Sequence, residues 1–170
     1  MRLIHSALLI NSMFMAALLS TGCSPSARSP SSAANISGIN HVAGQTVNSF
    51  TVNGYGGSLI GNSCCIMLPD TWQAGLKANI EWEVDPDAYV SLPPLGTEEF
   101  RKAYAQHAAK YQQHSAVVEI PKYDQACGLT VHFLPCNQVK VTTSCYGYGA
   151  SEYPVKEPLN MKEPASCPVN

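Results

Sequence analysis

The residue types in this chain best able to do chemistry are its histidines, above all His41 and His132, and its seven cysteines. Imidazole titrates near neutrality and binds metals, and a thiolate is both nucleophile and ligand. Their spacing argues against either use. No C-x-x-C pair and no H-E-x-x-H motif gathers ligands locally. Cysteine–histidine catalysis needs a free thiol beside a base, and no G-x-S-x-G elbow offers a serine instead. His107 and His114 fall two turns apart, with His107 on an apolar stripe that suits an interior histidine.

The turn Gly54-Tyr55-Gly56-Gly57 invites a phosphate-loop reading. However, the third Rossmann glycine falls on Leu59, and no lysine–serine pair follows. A turn needing positive φ accounts for it. Glu81, Glu83, Asp85 and Asp87 form the densest charge cluster, which suits a solvated face or a partner contact. The residues therefore predict no catalytic group, metal or cofactor, and hence no enzyme.

Charged residues make up only 13% of the 170, and the formal net charge is -2. Without a basic excess there is little to hold nucleic acid. Seven cysteines in so short a chain read as bridges in an oxidising compartment, with one left over. The N-terminus supplies a fate for that one. Arg2 and His5 precede an apolar run over 7–19, too short to span a bilayer, which ends in Leu18-Leu19-Ser20-Thr21-Gly22-Cys23. That pattern is similar to a bacterial lipobox. It predicts a signal peptide over 1–22 and a lipidated Cys23, with Ser20 in place of the usual leucine. Ser24 leans toward the outer membrane, with the domain in the periplasm. Residues 23–35 are too poor in apolar side chains to order themselves and read as a tether.

The elements expected to position these residues are mainly strands. Strands are predicted over 36–42, 47–53 and 63–68, the first two joined as a hairpin through Ala43-Gly44-Gln45. Leu76, Ala78, Ile80, Trp82 and Val84 alternate with polar residues, which marks a strand with one wet face. Residues 85–96 are broken by Pro86, Pro93 and Pro94. A helix is predicted over 98–113, capped by Thr97, with Phe100, Ala103, Tyr104, His107, Ala108 and Tyr111 as its apolar stripe. Further strands are expected over 115–120, 129–134 and 138–145, before an irregular tail over 156–170. Seven strands and one inserted helix fit an antiparallel β-sandwich over 36–155.

This layout constrains the bridges. A three-residue loop at Pro135-Cys136-Asn137 sets Leu134 opposite Gln138, and counting back sets Cys127 opposite Cys145. Cys64 and Cys65 are neighbours in a strand and point to opposite faces. One is expected to reach Cys136 and the other to hold Cys167.

The sequence resembles a known family at Asn40-His41, 50–57, Cys64-Cys65, 68–72 with Gly75-Leu76, 131–136, and Tyr148-Gly149 through Tyr153-Pro154. It is similar to proteobacterial lipoproteins that share a domain of unknown function and are often encoded beside type VI secretion genes, next to lipase-type effectors. The resemblance implies an immunity lipoprotein, anchored by lipid, whose partner is a secreted toxin. It brings no catalytic residues. A structural or accessory envelope lipoprotein is the competing expectation. A stiff frame presenting variable loops suits an inhibitor. The expected contact surface is 55–61 with 85–95, which includes Tyr55, Gly56, Gly57, Asp85, Asp87 and Tyr89.

Overall fold

The computed structural model describes residues 29–168; the expected signal peptide and Cys23 lie outside them. The chain forms β1 (Ser31–Asn40), β2 (Thr46–Val52), β3 (Tyr55–Gly56), β4 (Ser63–Pro69), β5 (Lys77–Asp85), α1 (Glu98–Ala108), β6 (Gln112–Glu119), β7 (Leu129–Leu134) and β8 (Gln138–Thr142). The strands make two four-stranded sheets, ordered β4-β1-β7-β8 and β3-β2-β5-β6. The fold is thus mainly β, a sandwich with one helix. One pairing departs from the expected antiparallel pattern: β1 runs parallel to β7, with Ile36 beside Leu129 and Asn40 beside Phe133.

The alternation along β5 does what it implies. Ala78, Ile80, Trp82 and Val84 are buried and face the other sheet, while Lys77, Asn79 and Glu81 are exposed. They meet Ile36, Ile66, Leu68, Leu129, Val131 and Phe133 in one apolar core. The Phe133 ring lies edge-on to Phe50 with centroids 5.2 Å apart. Phe50 is wedged so tightly that a Cβ on Gly57 would sit 2.0 Å from its ring. Gly57 therefore has a packing reason to be glycine.

Three sequence expectations are corrected. The expected tether does not reach residue 35, because β1 begins at Ser31 and its first residues, Ser31 to Ala34, pair with Pro69 to Ile66 of β4. The first two strands are not a hairpin: β1 bonds β4 and β7, whereas β2 bonds β3 and β5. A short connection serves an arch between sheets as well as a hairpin within one. Here the Asn40 side chain pins the corner, donating to the Val42 and Gln45 carbonyls and accepting from the Val42 N–H. The hairpin that does form is β2–β3, turning at Asn53 and Gly54 with φ of 52° and 83°, as a type I′ turn requires. The helix, in turn, stops at Ala108. Gln112 onward pairs with β5, with Gln112 beside Val84 and Glu119 beside Lys77, so the sheet claims residues assigned to the helix. Thr97 does cap its start, its Oγ1 accepting from the Phe100 N–H at 3.0 Å. Of the expected stripe only His107 is buried; Tyr104 is exposed and the other four are partly covered.

Candidate functional site

The cysteines frame the region where the chemistry-bearing residues gather. Cys127 pairs with Cys145 and Cys136 with Cys167. The first pair follows from the register, since Leu134 does lie beside Gln138 and Thr130 beside Thr142. The partner of Cys136 is a correction. Cys64 and Cys65 pair with each other, joined by a cis peptide, and neither reaches Cys136 or Cys167. Ser63 and Leu129 flank Ile36 on opposite sides, so Cys64 is level with the start of β7 but on the far side of β1. Cys136 follows the end of β7, about 20 Å away at ~3.3 Å per residue.

The two bridges staple a strap, residues 146–166, to the base and tip of the β7–β8 hairpin. Under it lies a chain of hydrogen bonds. Phe133 and Val131 of β7 face the core, so His132 faces the opposite way, beneath the strap. His132 and His41, just past the end of β1, have no solvent exposure. His41 Nδ1 lies 3.0 Å from the Pro158 carbonyl, His41 Nε2 lies 2.8 Å from His132 Nδ1, and His132 Nε2 lies 2.8 Å from the Tyr153 hydroxyl. The carbonyl can only accept, which fixes every other role for neutral rings. His41 donates from Nδ1 and accepts at Nε2; His132 donates from Nδ1 and accepts the Tyr153 proton at Nε2. Tyr148 stands edge-on to His41 and donates to the Glu157 carbonyl. Burial, and then the neighbouring His41, push the His132 pKa down to about 4. Burial likewise raises that of Tyr153.

This arrangement does not favour metal binding. The facing nitrogens are bonded to each other with no gap for an ion, and the remaining nitrogens already have partners. Among the described residues, one group has ligand atoms close enough to share an ion, namely Cys136, Glu163 and Cys167. Its two sulfurs are bonded to each other and are not thiolates.

A third buried histidine, His107, sits on α1. His107 Nε2 meets Asp85 Oδ2 at 2.8 Å, both residues being buried. Asp85 Oδ1 also accepts the Asp87 N–H. The pair fastens α1 to the end of β5 and the base of the 86–97 loop. The buried Nδ1 of His107 has no hydrogen-bond partner among the described residues.

The structure separates the expected contact residues. Tyr55 and Gly56 are exposed on β3, and Gly57 is half-covered against Phe50. Asp87 and Tyr89 are exposed in the 86–97 loop, Tyr89 at 84%. Asp85 is buried on His107 and is not available to a partner. Thr46 lies beside Asp85 and Val52 beside Ile80. The β2–β3 turn and the 86–97 loop are therefore at opposite ends of their sheet, about 20 Å apart at ~3.3 Å per residue.

Residues 39–141 match the family model described as a protein of unknown function, DUF3304. The chain belongs to the DUF3304 family. The match contains both histidines of the buried chain and ends before the strap that covers them. The DUF3304 description assigns no activity, and neither type VI secretion nor immunity follows from the match. No curated protein and no solved structure matches the chain.

The pairing of His41 with His132 was missed from sequence. The two stand 91 positions apart, and only the parallel β1–β7 contact brings them together. A faint signal exists: His132 stands between Val131 and Phe133 in the strand LTVHFL, and a polar residue there needs a buried partner.

Proposed function

We propose that this DUF3304 chain is a lipid-anchored envelope protein, tethered through Cys23 with its domain in the periplasm, not itself catalytic and acting by binding and inhibiting a lipase-type type VI effector. The observation that carries a binding role is the state of the two histidines best suited by type to catalysis. They have no exposure, and every ring nitrogen of the pair is engaged within the protein. Groups held this way hold the fold together and do not meet a substrate. The cross-linked frame favours the same role, because a rigid surface loses little conformational freedom on binding.

Exposed apolar side chains supply the contact material. Tyr89 and Leu95 stand 84% exposed in the 86–97 loop, on a base held by the Ala88 N–H donating to the Gly44 carbonyl and by the Asp85–His107 pair. A structural or accessory role in the envelope is the second reading, favoured by a sandwich rigid enough to serve as a spacer. Co-expression with a lipase-type type VI effector separates them. An inhibitor restores growth and co-purifies with the effector; an accessory protein does neither. Cys23→Ser should release the chain from the membrane fraction, and retention there would remove the anchor from this reading.

A further inference from the structure

Outside the histidine chain, one cluster brings metal-ligating atoms together: Cys136 at the tip of the β7–β8 hairpin, Glu163 of the strap, and Cys167 at the strap's end. The two sulfurs and a carboxylate oxygen lie within 4.8 Å of one another. Glu163 and Cys167 are exposed and Cys136 is half-buried, so a reductant and an ion both reach the cluster from solvent. Among the described residues, neither of the other two bridges gathers a carboxylate or imidazole in this way. Beside Cys145 stands instead the neutral amide of Gln125, its Oε1 3.7 Å from the sulfur.

The carboxylate is held in place. Glu163 Oε2 accepts the Cys136 N–H at 2.9 Å, the kind of bond that orients a ligating carboxylate. The strap beside it is also fastened without the bridge. The Met161 N–H donates to the His41 carbonyl at 2.7 Å and the Ala43 N–H to the Met161 carbonyl at 2.8 Å, while Lys140 pairs with Glu157. Glu163, two residues beyond Met161, therefore keeps its place at the hairpin tip when the sulfur–sulfur bond is open.

We propose that the Cys136–Cys167 bridge is the oxidised form of a zinc site, in which both thiolates and the Glu163 carboxylate hold one zinc ion after reduction. The donors decide the ion. Thiolates select zinc over magnesium or calcium, which take oxygen ligands, and three protein ligands leave the fourth tetrahedral position to water. With Zn–S bonds of about 2.3 Å the sulfurs stand about 3.8 Å apart, within reach of side-chain rotation from Cα atoms 5.4 Å apart. Opening the bridge takes a dithiol reductant: one S–S bond breaks here, one forms in the reductant, and its two protons pass to the cysteines. Zinc binding then displaces both protons. The strap is thereby tied to the hairpin in either oxidation state, by sulfur or by metal. The inference goes beyond the inhibitor reading and stands or falls without it.

The test uses the full chain, reduced with a water-soluble phosphine that adds no competing thiol, and titrated with zinc alone. The other cysteines are reduced too, so the reading is a comparison. Reduced wild type is expected to bind one more zinc ion per chain than Cys136→Ser/Cys167→Ser, and unreduced wild type not to bind it. Glu163→Gln, whose amide oxygen can still accept the Cys136 N–H, is expected to bind that ion about tenfold more weakly. Hydrogen exchange over 146–166 should quicken on reduction and slow again when zinc is added. Equal zinc content in wild type and the double serine variant places the metal on the remaining cysteines and overturns the proposal. So does an unchanged affinity in Glu163→Gln, an exposed substitution that leaves the fold standing, and so does strap exchange that zinc fails to slow.

Discussion

The two places where this molecule buries histidine differ in what surrounds the ring. His107 is matched with a carboxylate: Asp85 lies 2.8 Å away, and both are nearly inaccessible to water. His132 sits among groups with no formal charge in contact, donating to one imidazole and accepting from a phenol. Its nearest ionised neighbours, Glu157 and Lys140, act on it in opposite directions. At the first site the fold holds a helix to a sheet edge through an acid–base pair. At the second it holds the strap to the sheet through a chain of neutral donors and acceptors. The lesson concerns failure. A buried carboxylate that loses its partner keeps a costly charge, whereas a neutral chain that loses a link leaves only unsatisfied polar atoms.

The sharpest way to break the contrast is His107→Leu, which strands Asp85 beneath α1. The expected loss is about 3–5 kcal/mol, the usual cost of removing one partner of a buried pair, read by urea unfolding. A loss near 1 kcal/mol would mean that Asp85 is readily rehydrated and that the two sites are alike.

Acid should act on the neutral chain next. With the His132 pKa lowered to about 4 from an unfolded value near 6.5, the unfolded chain takes up the proton first. The contribution of this site is therefore complete above about pH 6.5 and falls as the pH drops toward 4, by up to about 3 kcal/mol in total. His132→Leu should be less stable at pH 7 and should show a shallower decline over that window. Parallel pH profiles for the two proteins would place the acid sensitivity elsewhere.

The smallest effect is expected from Tyr153→Phe, which removes one hydroxyl from His132 Nε2 and leaves the ring packing in place. About 1 kcal/mol is expected. In a proton NMR titration the His132 resonance should still move only well below pH 6, because burial and His41, not the phenol, set its direction.

How much of this was legible in the sequence depends on how far apart the interacting residues lie. The alternation over 76–84 located β5 within one residue at each end, because period two is a local property of a half-buried strand. Thr97 marked the helix start for a similarly local reason. The Cys127–Cys145 pairing came from counting along a hairpin, which is local once the loop is placed. The end of α1 was misjudged because Tyr111 continues the apolar spacing, while the competing β5–β6 ladder joins residues 28 to 42 positions apart. The β1–β7 parallel contact, and with it the His41–His132 pair, left no periodic trace at all. The Cys64–Cys65 pair was set aside because an extended strand points neighbouring side chains to opposite faces. The site itself was therefore seen in parts, as two histidines and a set of cysteines, but not as an assembly.

One consequence of the staples at Cys127–Cys145 and Cys136–Cys167 concerns proteolysis. A protease that nicks the chain anywhere between residues 146 and 166 leaves each fragment covalently attached to the hairpin beneath. Such a molecule would migrate as intact until a reducing agent was added, and its severed ends would stay close enough to settle back over the histidines.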